Sequence, residues 1–274
     1  MTIAITVKVN DGVVLASDSA TTMFVQGVPY NQYYHADKVF NLKKGLPIGA
    51  VTWGAGNIGV ASISTLVKDF RRTLTDVGEQ YTVQSIGERL RAFLLERQRE
   101  SYGPEATDLP RMGLRVAGYS SGEQLAEEFE FLMGEGEQGA SQVQLVRPKE
   151  QMGLSWNGQP EAVQRLVLGF SPRIVLALKD LEVPEDEIPK IIAAFRQKTE
   201  VFVVEQAMPI ADAIDLAVFI VTLTAEFSRF SPGLQTVGGP TDIAAITKHE
   251  GFKWIKRKHY YSRDLNPEPG TDRT

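Results

Sequence analysis

Met1-Thr-Ile-Ala-Ile-Thr-Val-Lys-Val-Asn-Asp-Gly-Val-Val-Leu-Ala-Ser-Asp-Ser-Ala-Thr-Thr22 reads as a β-hairpin whose leading edge is a threonine directly behind the initiator methionine. Ile3, Ile5, Val7 and Val9 alternate with Thr2, Ala4, Thr6 and Lys8, the period-two signal of a half-buried strand, and Val13 to Ala16 supplies the returning one. Asn10-Asp11-Gly12 fits a three-residue loop with Gly12 in the left-handed region. That loop pairs Val9 with Val13, Ala4 with Asp18 and Thr2 with Ala20. Thr2 and Asp18 then share a face as diagonal neighbours about 7–8 Å apart, with room for a third side chain between them. A two-residue loop would turn Asp18 to the other face.

Outward from the hairpin, Thr21 to Asp37 reads as a polar and aromatic connection carrying His35, an exposed loop residue on this reading. Lys38 to Leu42 and Ile48 to Trp53 read as two more strands joined by Lys43 to Pro47, and four short strands in series predict one antiparallel sheet. Gly54-Ala-Gly-Asn-Ile-Gly59 leads into an amphipathic segment with Ile58, Ala61, Ile63, Leu66, Val67 and Phe70 at helical spacing, and a second helix is expected from about Thr82 to Arg99. The glycine turn lacks the full dinucleotide or phosphate-loop pattern, so nucleotide binding is not read from it. Strands follow at Met112 to Tyr119, Glu127 to Met133 and Gln142 to Val146, separated by Ser120-Ser121-Gly122 and the Gly134 to Gly139 loop. Gly153 to Gly158 reads as a turn into a helix near Glu161 to Leu168. Helix is also suggested for parts of Ser171 to Gln206, and Pro209 opens a long apolar helix through Phe227. Thr241 to Thr247 and Phe252 to Ile255 form a closing hairpin. The expected class is α+β, two antiparallel sheets packed face to face with helices outside. One domain is expected over 1–261, followed by a flexible tail over 262–274.

Composition bounds the function. The 274 residues carry 43% hydrophobic and 23% charged side chains, as in an ordinary globular protein. A net charge of −5 gives no reason to expect nucleic acid or an anionic membrane as partner. With no cysteine, disulfides, thiolate nucleophiles and cysteine zinc sites are excluded, and a cytoplasmic location is the default. No signal peptide is read at the amino terminus, and the strongest apolar run, Leu216 to Leu223, falls short of the roughly 20 residues that span a bilayer. The three histidines have no metal spacing and no cofactor is expected. The basic cluster Lys253, Lys256, Arg257 and Lys258 reads as a solvated edge strand guarded by its charges.

Thr2 carries the chemistry. Methionine removal is favoured before a small residue, and the freed α-amine has a pKa of about 7.7–8.0, so a useful fraction is neutral near pH 7. That amine can take the proton of its own hydroxyl while the oxygen attacks a carbonyl. A nearby cation keeps such a base unprotonated; Lys38 is the leading candidate, with Asp18 as the carboxylate that holds it. Gly54 closes the fourth strand and offers a backbone N–H to a tetrahedral oxyanion.

Thr2, the strand through Val9, the Asn10-Asp11-Gly12 turn, Val13 to Ser19 with Asp18, Lys38-Val39 and the Gly54 turn together resemble the proteasome β-subunit and HslV family of N-terminal nucleophile hydrolases. The resemblance implies a four-layer αββα sandwich and a threonine peptidase acting on peptides or unfolded protein inside a ring of like subunits. It implies Thr2 as nucleophile and base, Lys38 and Asp18 tuning it, and Gly54 in the oxyanion hole, with Trp53 or Gly56 as alternatives at that last position. Ring size, symmetry and any ATPase partner are left open by it. The chain departs from the family pattern at two places. Trp156-Asn157-Gly158 replaces a Ser-Gly turn, leaving Asn157 to hydrogen-bond near the threonine amine, and Leu234-Gln-Thr-Val237 precedes Gly238-Gly239 without an acid. These departures point to a diverged bacterial branch of Anbu type. They keep two alternatives in play, a catalytically silent ring subunit and a small-molecule amidase with the same nucleophile.

Overall fold

The computed structural model describes residues 2–25, 28–75, 77–78, 80–136, 139–259 and 261. Met1 and the 262–274 tail lie outside the described residues, as do Glu137 and Gln138 of the glycine-rich loop.

The chain runs β1 (Ile3–Val9), β2 (Gly12–Ser17), β3 (Thr21–Val25), β4 (Val28–Tyr33), β5 (Val39–Asn41), β6 (Ile48–Gly54), β7 (Asn57–Ile58), β8 (Ala61–Ser62), α1 (Ile63–Thr73), α2 (Val83–Tyr102), β9 (Met112–Gly118), β10 (Glu127–Met133), β11 (Gln144–Arg147), β12 (Gly153–Gly158), α3 (Glu161–Val167), α4 (Ile174–Asp180), α5 (Ile188–Thr199), α6 (Ile210–Phe230), β13 (Asp242–Thr247) and β14 (Gly251–Lys256). Two five-stranded antiparallel sheets result, in the orders β12-β1-β2-β13-β14 and β11-β10-β9-β6-β5.

Three apolar clusters hold the layers. Ile3, Ile5, Val7, Val14 and Ala16 pack with Val163, Ala213, Ala217 and Ile220, which seats α3 and α6 on the first sheet. Phe40, Ile48, Leu114 and Phe131 pack with Leu66, Phe70, Ile86 and Leu90, which seats α1 and α2 on the second. Ala4, Val13, Leu15, Val39, Val51 and Ala117 join the two sheets face to face. The helix starts are dictated locally: Ser62 accepts from Thr65 N ahead of α1, and Thr82 and Ser85 form a reciprocal capping box ahead of α2.

Several sequence expectations change. The first four strands do not form one sheet; β1 and β2 belong to the first sheet, β5 and β6 to the second. The 21–37 connection is itself a hairpin, β3 with β4. The helical spacing read from Ile58 becomes true helix only at Ile63, because the small β7-β8 pair precedes the Ser62 cap. Gly153–Gly158 is not a turn but a strand, paired with β1 from Lys8↔Gly153 to Ile3↔Gly158.

The largest correction is the opening register. β1 and β2 are joined by the two residues Asn10 and Asp11, with Val9 opposite Gly12 and Ala4 opposite Ser17. Gly12 is absent from the positive-φ glycines. It is demanded instead by crowding, since a Cβ there would lie 2.5 Å from the Ile246 carbonyl oxygen of β13. The half-buried reading of β1 changes too: all seven residues are buried. Its polar face is paired inside the protein, with Thr6 Oγ1 donating to Glu128 Oε2 at 2.7 Å and Lys8 Nζ donating to the carbonyls of Pro148 and Lys149 at 2.6 and 2.9 Å.

Candidate active site

The two-residue loop would carry Asp18 away from Thr2 if β2 continued. It does not continue. β2 ends at Ser17, where Ser17 Oγ donates to Ile3 O at 2.8 Å, and the chain leaves the strand so that the Asp18 carboxylate comes to lie beneath the start of β1. Asp18 Oδ1 accepts from Ile3 N at 3.1 Å and from Lys38 Nζ at 2.8 Å. Asp18 Oδ2 accepts from Ala20 N at 3.0 Å and Gly238 N at 3.1 Å. Four donors therefore hold one carboxylate.

Lys38 comes from the residue ahead of β5. Its carbonyl accepts from Thr52 N of β6 at 3.0 Å, and its ammonium donates to Ala20 O at 2.6 Å as well as to Asp18. Thr2, Asp18 and Lys38 are 3%, 1% and 6% exposed, so neither Asp18 nor Lys38 is a solvated strand-end charge. Burial pushes the Lys38 ammonium below the usual lysine range, and the adjacent Asp18 charge and hydrogen bond oppose that shift.

The Thr2–Ile3 peptide is pinned on both edges: Ile3 N–H goes to Asp18, and Thr2 O accepts from Gln159 N at 2.8 Å. Gly158 makes this approach possible, because it sits at φ +96° and a Cβ there would lie 1.9 Å from Thr2 O. Asn157 is opposite Ala4 on β12, so its side chain shares the inter-sheet face with Ala4. Its buried Oδ1 has no hydrogen-bond partner among the described residues.

Gly54 is exposed, with φ +87°. Thr52 N points to Lys38 O and Ala55 N to Arg111 O, so the alternation of strand hydrogen bonds puts the Gly54 N–H on the edge that carries Lys38. Of the alternatives, Trp53 lies across Gly113 and packs against the inter-sheet cluster, while Gly56 is close enough to Thr21 that an added Cβ would meet its Oγ1 at 3.3 Å.

Sequence reading missed the backbone side of this site. Gln159 and Gly238 act through main-chain groups and Ser19 through main chain and side chain alike: Ser19 N donates to Gly238 O at 3.0 Å, Ala36 N donates to Ser19 O at 3.0 Å, and Ser19 Oγ donates to Pro240 O. In the sequence the Gly238-Gly239 pair signals only the acid missing ahead of it; Gly239 sits at φ +77°, where an added Cβ would lie 2.7 Å from Tyr34 O. On the α3 and α6 side, a cavity of about 600 Å³ is walled by Gln159, Thr236, Phe227, Leu234, Pro160 and Pro29 among others, and Gln159 Nε2 donates to Thr236 Oγ1 at 3.3 Å. His35 is an exposed loop residue. Among the described residues, no three His, Asp or Glu side chains are grouped to hold a metal ion, and no helix is long and apolar enough to cross a membrane.

No family model and no curated protein matches the chain. Solved structures do. The chain is similar to Anbu (ancestral beta-subunit) from Yersinia bercovieri, with 15% identity, coverage of 94% of this chain and 88% of that one, and a TM-score of 0.48. It is also similar to the Anbu (Gly-1) mutant from Hyphomicrobium sp. strain MC1, with 15% identity, coverage of 97% and 92%, and a TM-score of 0.49.

Proposed function

We propose that the chain is an N-terminal nucleophile hydrolase of threonine type, its paired sheets and outer helices forming the αββα sandwich of that class, and that it cleaves peptide bonds. The observation that carries this reading is the buried Asp18–Lys38 pair fastened to the peptide bond that follows Thr2. A buried ion pair is a poor stability device, since well-packed apolar residues do as well. Its placement beside a residue able to carry both a hydroxyl and a free amine gives it a chemical purpose.

With Met1 removed, the Thr2 amine takes the hydroxyl proton, and Oγ bonds to the scissile carbonyl carbon. Gly54 N–H donates to the oxyanion that forms, a contribution typically worth about 3 kcal/mol of the barrier. The C–N bond then breaks as the protonated amine hands its proton to the leaving nitrogen, and water attacks the resulting ester to release the acid and restore Thr2. The Lys38 cation disfavours a second positive charge nearby and so keeps the amine available as a base. Asn157 Oδ1 faces the inter-sheet side, diagonal to Thr2, and is suited to accept from the amine.

One observation favours a silent subunit instead: the 234–239 loop brings no acid to the amine, and its Gly238 N–H is spent on Asp18. Both readings meet the same experiment. A peptidyl electrophile that must bond a hydroxyl and its adjacent amine is expected to label the wild-type protein at Thr2 and to leave Thr2→Ala unlabelled. Equal labelling of the two proteins, or none of either, contradicts the peptidase.

A further inference from the structure

The basic run near the C-terminal end is not uniformly solvated. Lys253, Lys256 and Arg257 are exposed, and Arg257 lies 4.8 Å over the Trp254 ring. Lys258 turns inward, with its side chain only 8% exposed. Its ammonium is paired with the Asp242 carboxylate and lies 3.4 Å from Asp37 Oδ1, while its backbone N–H donates to Asp242 Oδ1 at 3.0 Å. Asp37 Oδ2 accepts in turn from Ser64 Oγ of α1 at 2.9 Å.

Both carboxylates adjoin the threonine site. Asp242 begins β13 directly opposite Ser17, the residue before Asp18, and Asp37 immediately precedes Lys38. The charged groups of this cluster are Asp18 at the end of β2, Asp37 and Lys38 ahead of β5, Asp242 on β13 and Lys258 beyond β14. Lys258 thus ties the last strand to the two segments that carry the Asp18–Lys38 pair. Removing a buried charge partner is costly, whereas an apolar core would hold the same elements without one. The position of Lys258 against both segments of the site is what suggests a role beyond holding the elements together.

We propose that Lys258 is a positioning residue for the threonine site: clamped by Asp242 and Asp37, it fixes the Asp37–Lys38 turn against Asp18 and adds a second positive charge to the surroundings of the Thr2 amine. The inference rests on the reading of Thr2 as nucleophile. Consistent with the geometry, the Lys258 charge disfavours the charged form of Lys38 and the Asp242 charge favours it.

The test is the rate of Thr2 labelling by the same peptidyl electrophile across pH, for wild type, Lys258→Met, Lys258→Arg and Asp242→Asn, with unfolding midpoints in urea measured alongside. Labelling requires the neutral amine. Loss of a neighbouring cation raises the amine pKa, and loss of a neighbouring anion lowers it. Lys258→Met is therefore expected to label at least about tenfold more slowly at saturating electrophile, the scale of a displaced catalytic group. Its half-saturation should be unchanged and its pH midpoint moved up. Asp242→Asn should move the midpoint down, and Lys258→Arg should restore the wild-type midpoint. A structural role alone would weaken the Met and Asn variants together and leave the midpoints in place. Midpoints that coincide with wild type, or shift in one direction for both variants, overturn the role of Lys258 while leaving Thr2 as nucleophile. If Lys258→Met fails to fold, an unshifted Asp242→Asn midpoint is enough to overturn it. Absence of labelling in the wild type overturns the nucleophile reading itself, and the role of Lys258 with it.

Discussion

Asp18 is the residue on which the site closes. Its two oxygens take hydrogen bonds from Ile3, Ala20, Gly238 and Lys38, so three backbone segments and the lysine converge on a single carboxylate. Among the described residues, the buried Lys38 ammonium donates to Asp18 and to the Ala20 carbonyl alone. On the proposed mechanism, Lys38→Ala should lower peptide turnover by at least roughly 100-fold, the usual size of an acid–base contribution. Steady-state assay on a fluorogenic peptide measures this, and turnover equal to wild type would remove Lys38 from the site. Thr2, Asp18 and Lys38 were legible in the sequence because their chemistry resides in their side chains. The main-chain contacts of Gln159, Ser19 and Gly238 were not, because a backbone N–H or C=O is common to nearly every residue and its use depends on where the chain passes.

At the scale of elements, the hairpin register was misread for a physical reason. A hydrophobic pattern fixes register when one face is wet, but β1 and β2 are buried on both faces. The pattern therefore could not choose between a two-residue and a three-residue loop. Asp18 reaches the site by leaving the strand, a feature that periodicity cannot express. β12 was missed because Gly153-Leu-Ser-Trp-Asn-Gly158 is bounded by glycines, and both have positive φ: Gly153 at +148° and Gly158 at +96°. The second of these makes a sharp prediction. Gly158→Ala would put its Cβ against Thr2 O and should abolish Thr2 labelling, whereas Gly122→Ala should label at the wild-type rate and cost about 1–2 kcal/mol from its left-handed conformation alone. Gly122 also has positive φ but nothing within 4 Å of an added Cβ. Labelling assays with urea unfolding distinguish the two, and normal labelling of Gly158→Ala would contradict the contact.

At the scale of the whole molecule, the interface between the sheets is partly polar. Glu128, fully buried, accepts from Thr6 and lies 3.3 Å from Arg147 Nε and 3.8 Å from Arg115 Nη1. Lys8 shares this face; burial, opposed by Glu128 and reinforced by Arg147, lowers its pKa from 10.5 to about 8. The folded protein therefore gives up the Lys8 proton near pH 8 while the unfolded chain keeps it to about 10.5. Between those values the unfolded state binds more protons, so the Lys8 contribution to stability rises with pH. Urea unfolding of wild type and Lys8→Met should accordingly show a stability difference that grows in favour of wild type from pH 7.5 to about 10; a flat difference would contradict it. The mixed class, antiparallel strands with sets of helices following them, was legible from the periodicities, whereas the division of the first hairpins between two sheets was not, since strands consecutive in sequence usually pair.

The claim on which all of this turns is that Thr2 becomes an N-terminal residue with a free amine. The intact mass of the purified protein tests it directly. The proposed chemistry predicts a mass short by one methionine, whereas retention of Met1 on the whole population would contradict it.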